Sequence, residues 1–101
     1  MIKVFISQPM KDKTNQEIEQ ERKEIIEKVR KYFWEFEVID SFFKDAPHDD
    51  KPLWFLGKSL ELLSNADVIV LGKNRERARG CRIEHECAIQ YGIKIVYIEN
   101  L

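Results

Sequence analysis

Ile2-Lys3-Val4-Phe5-Ile6-Ser7, broken by Gln8-Pro9-Met10-Lys11-Asp12-Lys13, is the stretch on which the fold turns. The first six residues are dense in β-branched and aromatic side chains, the profile of a strand buried in a parallel sheet. After the break, Thr14 and Glu17 form a Thr-x-x-Glu capping box. That signature predicts a long helix to about residue 33. Ile18, Ile25, Ile26, Val29 and Phe33 supply its inner stripe, and the Glu, Lys and Arg residues between them read as a solvated face.

The same alternation continues outward. Residues 36–41 are a second strand, and a loop over 42–52 carries Pro47, His48, Asp49 and Asp50. Pro52 suits the first turn of a helix to about residue 65. Its stripe is Leu53, Leu56, Leu60 and Leu63, widened by Phe55 and Leu62. Residues 67–72 are a third strand, residues 73–80 an arginine-rich loop, and 93–98 a fourth strand. Three βα units in succession call for right-handed crossovers and helices on the sheet faces. The predicted fold is therefore α/β: three layers around a mainly parallel four-stranded sheet, flavodoxin- or Rossmann-like, with strand order 2-1-3-4. Residues 1–101 are expected to form one domain, with no repeat, linker or low-complexity stretch.

Composition narrows the function classes. Seventeen basic and eighteen acidic residues leave a net charge of -1, so no global field favours a nucleic acid polymer or an anionic membrane. No apolar run approaches the roughly 20 residues of a membrane span, and the early lysine argues against a signal peptide. Cys81 and Cys87 lie on different turns of one predicted helix and are poorly placed to bridge. Reduced thiols and a cytoplasmic setting are the expectation. His48 and His85 show no metal-ligand spacing with the cysteines, so neither a metal nor another cofactor is expected. A chain this short buries a modest share of its surface, which makes a homodimer or larger assembly plausible.

In parallel sheets, ligands bind outside the carboxyl ends of the strands. That rule points to residues 7–13, to residues 40–52, and to residues 73–84, the last running into the final helix. In this helix Ile83, Cys87, Ala88 and Tyr91 form one stripe, and Glu84 falls inside its arc. An inward carboxylate is a nucleophile or general base, or else it caps its own helix or pairs with Arg79 or Arg82. Ser59 lies within the apolar arc of its helix, its hydroxyl either returning to a carbonyl four residues back or facing the Glu84 crevice. Asp40 is placed to hold a ribose hydroxyl or to cap a turn. Arg75, Arg77, Arg79 and Arg82 are an anion clamp or a solvated run. Phe42, Phe43, Trp54 and Phe55 are a stacking surface for a base, core, or a subunit contact.

Across nearly its whole length the chain resembles the nucleoside 2-deoxyribosyltransferase superfamily, and more closely its short deoxyribosyltransferase-like phage and bacterial members. The matching stretches are Lys3-Val4-Phe5-Ile6-Ser7-Gln8-Pro9-Met10, Val38-Ile39-Asp40-Ser41-Phe42-Phe43, Leu56-Gly57-Lys58-Ser59-Leu60, Ala66-Asp67-Val68-Ile69-Val70 and the segment around Glu84. Gly80, Glu84 and Ala88 fit the superfamily pattern in place, followed by Gly92 and Lys94. The resemblance implies an enzyme acting on a nucleoside or nucleotide, with Glu84 attacking the anomeric carbon to form a glycosyl-enzyme. Ser7, Gln8, Pro9, Met10, Asp40, Ser59, Arg79 and Gly80 would bind substrate, and a neighbouring chain would complete the site. Two positions depart: Ala78 stands where the transferases carry an aspartate, and Ser59 where the related nucleotide N-hydrolases carry one. The alternative is a protein that binds a nucleotide in the same crevice without chemistry.

Overall fold

The sheet is built outward from β1 (Ile2–Ser7), which pairs in parallel with β2 (Phe36–Val38) on one side and β3 (Val68–Leu71) on the other. β4 (Lys94–Tyr97) adds in parallel beside β3, giving the order β2-β1-β3-β4. The computed structural model describes residues 1–43 and 51–101, so Pro47, His48, Asp49 and Asp50 lie outside the described residues. Three helices complete the layers: α1 (Asn15–Tyr32), α2 (Pro52–Leu63) and α3 (Arg79–Tyr91). The result is a Rossmann-like α/β sandwich with the strand order the sequence predicts. No helix among the described residues is long and apolar enough to cross a membrane.

Side chains alternate across a strand, so each strand feeds two cores. Val4, Ile6, Val68, Val70 and Val96 meet Ile25 and Val29 of α1. Phe5, Ile69 and Leu71 meet Leu63 of α2 and Ala88 of α3. The same alternation aims Ser7 at the α2–α3 side and Gln8 at α1. That division separates two residues the sequence treats as one turn.

α1 starts as its capping box predicts. Thr14 Oγ1 accepts from the Glu17 N–H at 3.0 Å, and Glu17 Oε1 accepts from the Thr14 N–H at 2.9 Å. Thr14→Ala removes the first of these bonds and is expected to lower Tm by roughly 4 °C or more in a thermal melt.

Five features differ from the sequence reading. β2 stops at Val38. Ile39 still donates to Val4 O at 2.9 Å, but its own carbonyl accepts from Arg22 and leaves the ladder. At the other edge Ile98 opens a 3-10 turn instead of extending β4, and Arg75–Arg77 forms another inside the arginine loop. In α3 the buried face is Cys81, Glu84 and Ala88, while Tyr91 is exposed.

The fifth difference is in α2, where Leu63 is the one fully buried residue and Leu53 is exposed. The first turn of α2 packs little against the sheet, leaving Leu53 74% and Trp54 39% exposed.

Candidate functional site

Ser7, the last residue of β1, points between α2 and α3. Its Oγ donates to Glu84 Oε1 at 2.6 Å, a short charge-assisted bond between groups only 1% and 8% exposed. The Ser59 hydroxyl stands near the same carboxylate and helps to lower its pKa. Three elements thus converge on one acid: β1 through Ser7, α2 through Ser59, and α3 through Glu84 itself. Of the two arrangements open for Ser59, the structure has the one facing the crevice.

No cation neutralises this carboxylate among the described residues. Arg79 is exposed in the first turn of α3. Arg82 donates to Glu76 O at 2.9 Å, and Arg75 grips Glu99 with two bonds of 2.8 and 2.7 Å. The ion-paired alternative for Glu84 is therefore not what the chain builds. Burial raises the Glu84 pKa above its ordinary value, and the Ser7 bond and the nearby Ser59 hydroxyl pull it only partly back.

Cys81, one turn earlier on the same buried face, stands near Ser7. Burial pushes its thiol up to about 11, so it is protonated and unreactive at neutral pH. Cys81 and Cys87 are both free thiols. Among the described residues no three His, Cys, Asp or Glu side chains cluster as a metal site requires.

None of the other sequence-predicted residues forms a hydrogen bond or ion pair with Glu84. Gln8 is buried on the α1 side, where its Nε2 donates to Ile18 O at 3.2 Å and Glu21 Oε1 at 2.9 Å. Its Oε1 accepts from Arg22 at 3.2 Å, so both ends of the amide are engaged within the protein. Asp40 is exposed and accepts from the Phe42 N–H at 3.4 Å, the turn-capping arrangement. Pro9 and Met10 are half-buried in the turn after β1, where Met10 O accepts from Lys13 N at 3.3 Å. A Cβ on Gly80 would meet nothing within 4 Å, so packing does not demand glycine there.

Arg22 is the residue sequence reading missed. Assigned to the solvated face of α1, it is instead 9% exposed. Its guanidinium ties the carboxyl ends of β1 and β2 together, donating to Gln8 Oε1, to Ile39 O at 2.9 Å and to Ser41 Oγ at 3.1 Å. Burial lowers its pKa against the raising influence of Asp40. The signal was in the spacing: Ile18, Arg22, Ile25 and Val29 follow i, i+4, i+7, i+11, which places Arg22 in the middle of the apolar stripe.

A cleft of about 470 Å³ opens on the other flank of α3, lined by Arg75, Cys81, Arg82, His85, Ile89 and Tyr97 among others. Glu84 does not line it. There His85 Nε2 lies 3.0 Å from the Tyr97 hydroxyl and Arg75 stacks over the Tyr97 ring at 4.6 Å. The Arg75–Glu99 fork, which holds the Glu99 carboxyl down at about 2, fastens the arginine loop to the turn after β4. Comparison with protein-family models, curated proteins and solved structures gave no match. The protein is a Rossmann-like sandwich with a buried carboxylate at the carboxyl end of β1 that no cation among the described residues neutralises.

Proposed function

We propose that this chain cleaves or exchanges the N-glycosidic bond of a nucleoside or nucleotide through a covalent glycosyl-Glu84 intermediate. The observation that carries the reading is the Glu84 carboxylate, buried, without a cation among the described residues, and held by the Ser7 hydroxyl with Ser59 nearby. Burying such a group is unfavourable unless something compensates it, and a site that uses the charge in chemistry is one such use. The resemblance to deoxyribosyltransferase-like proteins supplies the reaction class.

In the first step a Glu84 carboxylate oxygen attacks the anomeric carbon. The carbon–nitrogen bond breaks, its electron pair leaves with the base, and the base nitrogen takes a proton from water or a bound donor. In the second step water, or the nitrogen of another base, attacks the same carbon. The ester bond breaks, Glu84 returns as carboxylate and the attacking group loses its proton. Ser7 and Ser59 orient the nucleophile and stabilise the carboxylate as it leaves. The reading makes the protein a cytoplasmic homodimer or larger assembly that acts on a small molecule and needs no metal or cofactor. Arg79 and Gly80 at the start of α3, and Pro9, Met10 and Asp40 around the crevice, would meet the substrate, while Gln8 shapes the turn that presents Ser7.

A binding protein without turnover is the second reading. It is favoured by one observation: among the described residues no second carboxylate hydrogen-bonds or ion-pairs with Glu84, so no acid stands ready for the departing base. Incubation with a panel of nucleosides, nucleotides and NAD, with free base followed by chromatography, separates the two. Release by wild type but not by Glu84→Ala is expected. Equal release by both proteins overturns the nucleophile, and a nucleotide that raises Tm without being cleaved establishes binding alone.

A further inference from the structure

The cleft behind α3, which Glu84 does not line, carries polar groups that the fold leaves open. Its volume of about 470 Å³ falls within the range of small-molecule sites, roughly 300–1,000 Å³. Arg82, His85, Glu86 and Ile89 follow i, i+3, i+4, i+7 along α3 and form one stripe of its wall. From Arg82 to Ile89 the helix rises roughly 10 Å. Tyr97 of β4 and Arg75 of the arginine loop also line the space.

Most charges on this wall are already engaged. Arg75 holds Glu99 through bonds of 2.8 and 2.7 Å and covers the Tyr97 ring. Glu86 accepts from Gln90 at 3.0 Å, and Glu76 lies in the field of Arg75. Arg82 is different. It donates from Nη1 to Glu76 O at 2.9 Å and forms no ion pair among the described residues. Its other N–H groups are open to an acceptor, and its place near the start of α3 adds the positive end of the helix dipole. His85 and Tyr97 supply a further donor whichever ring donates to the other. One proton lies in the 3.0 Å bond between them, and another remains for a third group. At the far end of the stripe Ile89, 54% exposed, offers only apolar surface.

We infer that this cleft is a second ligand site, which takes an organic monocarboxylate with an apolar tail reaching from Arg82 to Ile89. The carboxylate accepts from the open guanidinium edge of Arg82 and from the His85–Tyr97 pair. A single negative charge suits the site better than a dianion, because Glu76 and Glu86 line the same cleft and repel added charge. One exposed ionic contact contributes little affinity by itself. The tail laid against Ile89 adds the burial of apolar surface. This assignment does not depend on the reading of Glu84.

Octanoate is the probe, with octylamine and inorganic phosphate as comparators. By calorimetry octanoate is expected to bind saturably at one site per chain and more tightly than either comparator. Arg82→Gln is expected to weaken it by roughly 10-fold or more, Arg82→Lys by less, and Ile89→Ser by roughly 3-fold or more. Both positions are exposed, so all three variants should melt with wild type. In nuclear magnetic resonance spectra the octanoate-dependent shifts should centre on the His85 and Tyr97 rings. Absence of saturable heat up to about 10 mM, equal affinity in Arg82→Gln, or tighter binding of octylamine overturns the assignment. Phosphate binding as tightly as octanoate, or octanoate indifferent to Ile89→Ser, overturns the role of the tail and with it the ligand class. Shifts centred away from His85 and Tyr97 place octanoate elsewhere and overturn the site.

Discussion

Glu84→Gln is expected to abolish base release, by at least roughly 10³-fold, while making the folded protein more stable at neutral pH. The two effects have one origin. The amide cannot attack the anomeric carbon, and it also carries no charge to desolvate. Because burial raises the Glu84 pKa, the native state holds this proton more tightly than the unfolded chain. Wild-type stability therefore falls as pH climbs from the ordinary carboxylate range through the raised native value. The glutamine variant lacks that slope. Its Tm should exceed wild type by roughly 4 °C or more near pH 7, and the two should converge near about pH 4. The catalytic form is the ionised one, so wild-type activity should fall on the acid side at a pH above the usual carboxylate range. A variant that lost activity and stability together would point to a structural acid.

Arg22→Met should be the most destabilising single change outside the hydrophobic core. The thioether chain replaces the apolar stem but none of the donors. Gln8 Oε1 and Ile39 O lose the guanidinium bonds they accept, and Ser41 keeps only its 3.4 Å bond to Ile6 O. Each buried acceptor left without a donor costs about 1–3 kcal/mol, offset in part by no longer burying a cation. A net loss of about 3 kcal/mol and a Tm lower by roughly 10 °C or more are expected in thermal and urea melts. Arg22→Lys should recover little, because one ammonium cannot fork between acceptors from two strands. Loss of Arg22 also frees the turn after β1, so base release should fall further than the change in folded fraction accounts for.

The sandwich and its strand order were legible in sequence because each segment gave the same answer. A dense apolar strand, a capping box, and glycine at the α3 terminus in a left-handed conformation, φ 72° at Gly92, leave few alternatives. Glu84 was legible for a related reason: a charge inside an apolar arc is a conflict that pattern alone exposes. Its partners were not. Periodicity could place Ser59 in an inward arc, but whether its hydroxyl meets a helical carbonyl or a carboxylate depends on how far α2 sits from α3. Ser7 and Gln8 are adjacent in sequence, yet strand alternation sends them to opposite faces. Arg22 was hidden because charged residues dominate α1 and the composition of the helix outweighed its spacing. The exposed first turn of α2 was hidden because an apolar stripe does not say how many of its residues the neighbouring elements reach.

The most direct test of the account is peptide mapping by mass spectrometry of the protein acid-quenched during turnover of a cleaved nucleoside or nucleotide. The predicted result is the mass of one sugar, or sugar phosphate, on the peptide containing Glu84, absent from Glu84→Gln. Sugar on any other residue, or steady base release with the Glu84 peptide unmodified at every quench time, would contradict it.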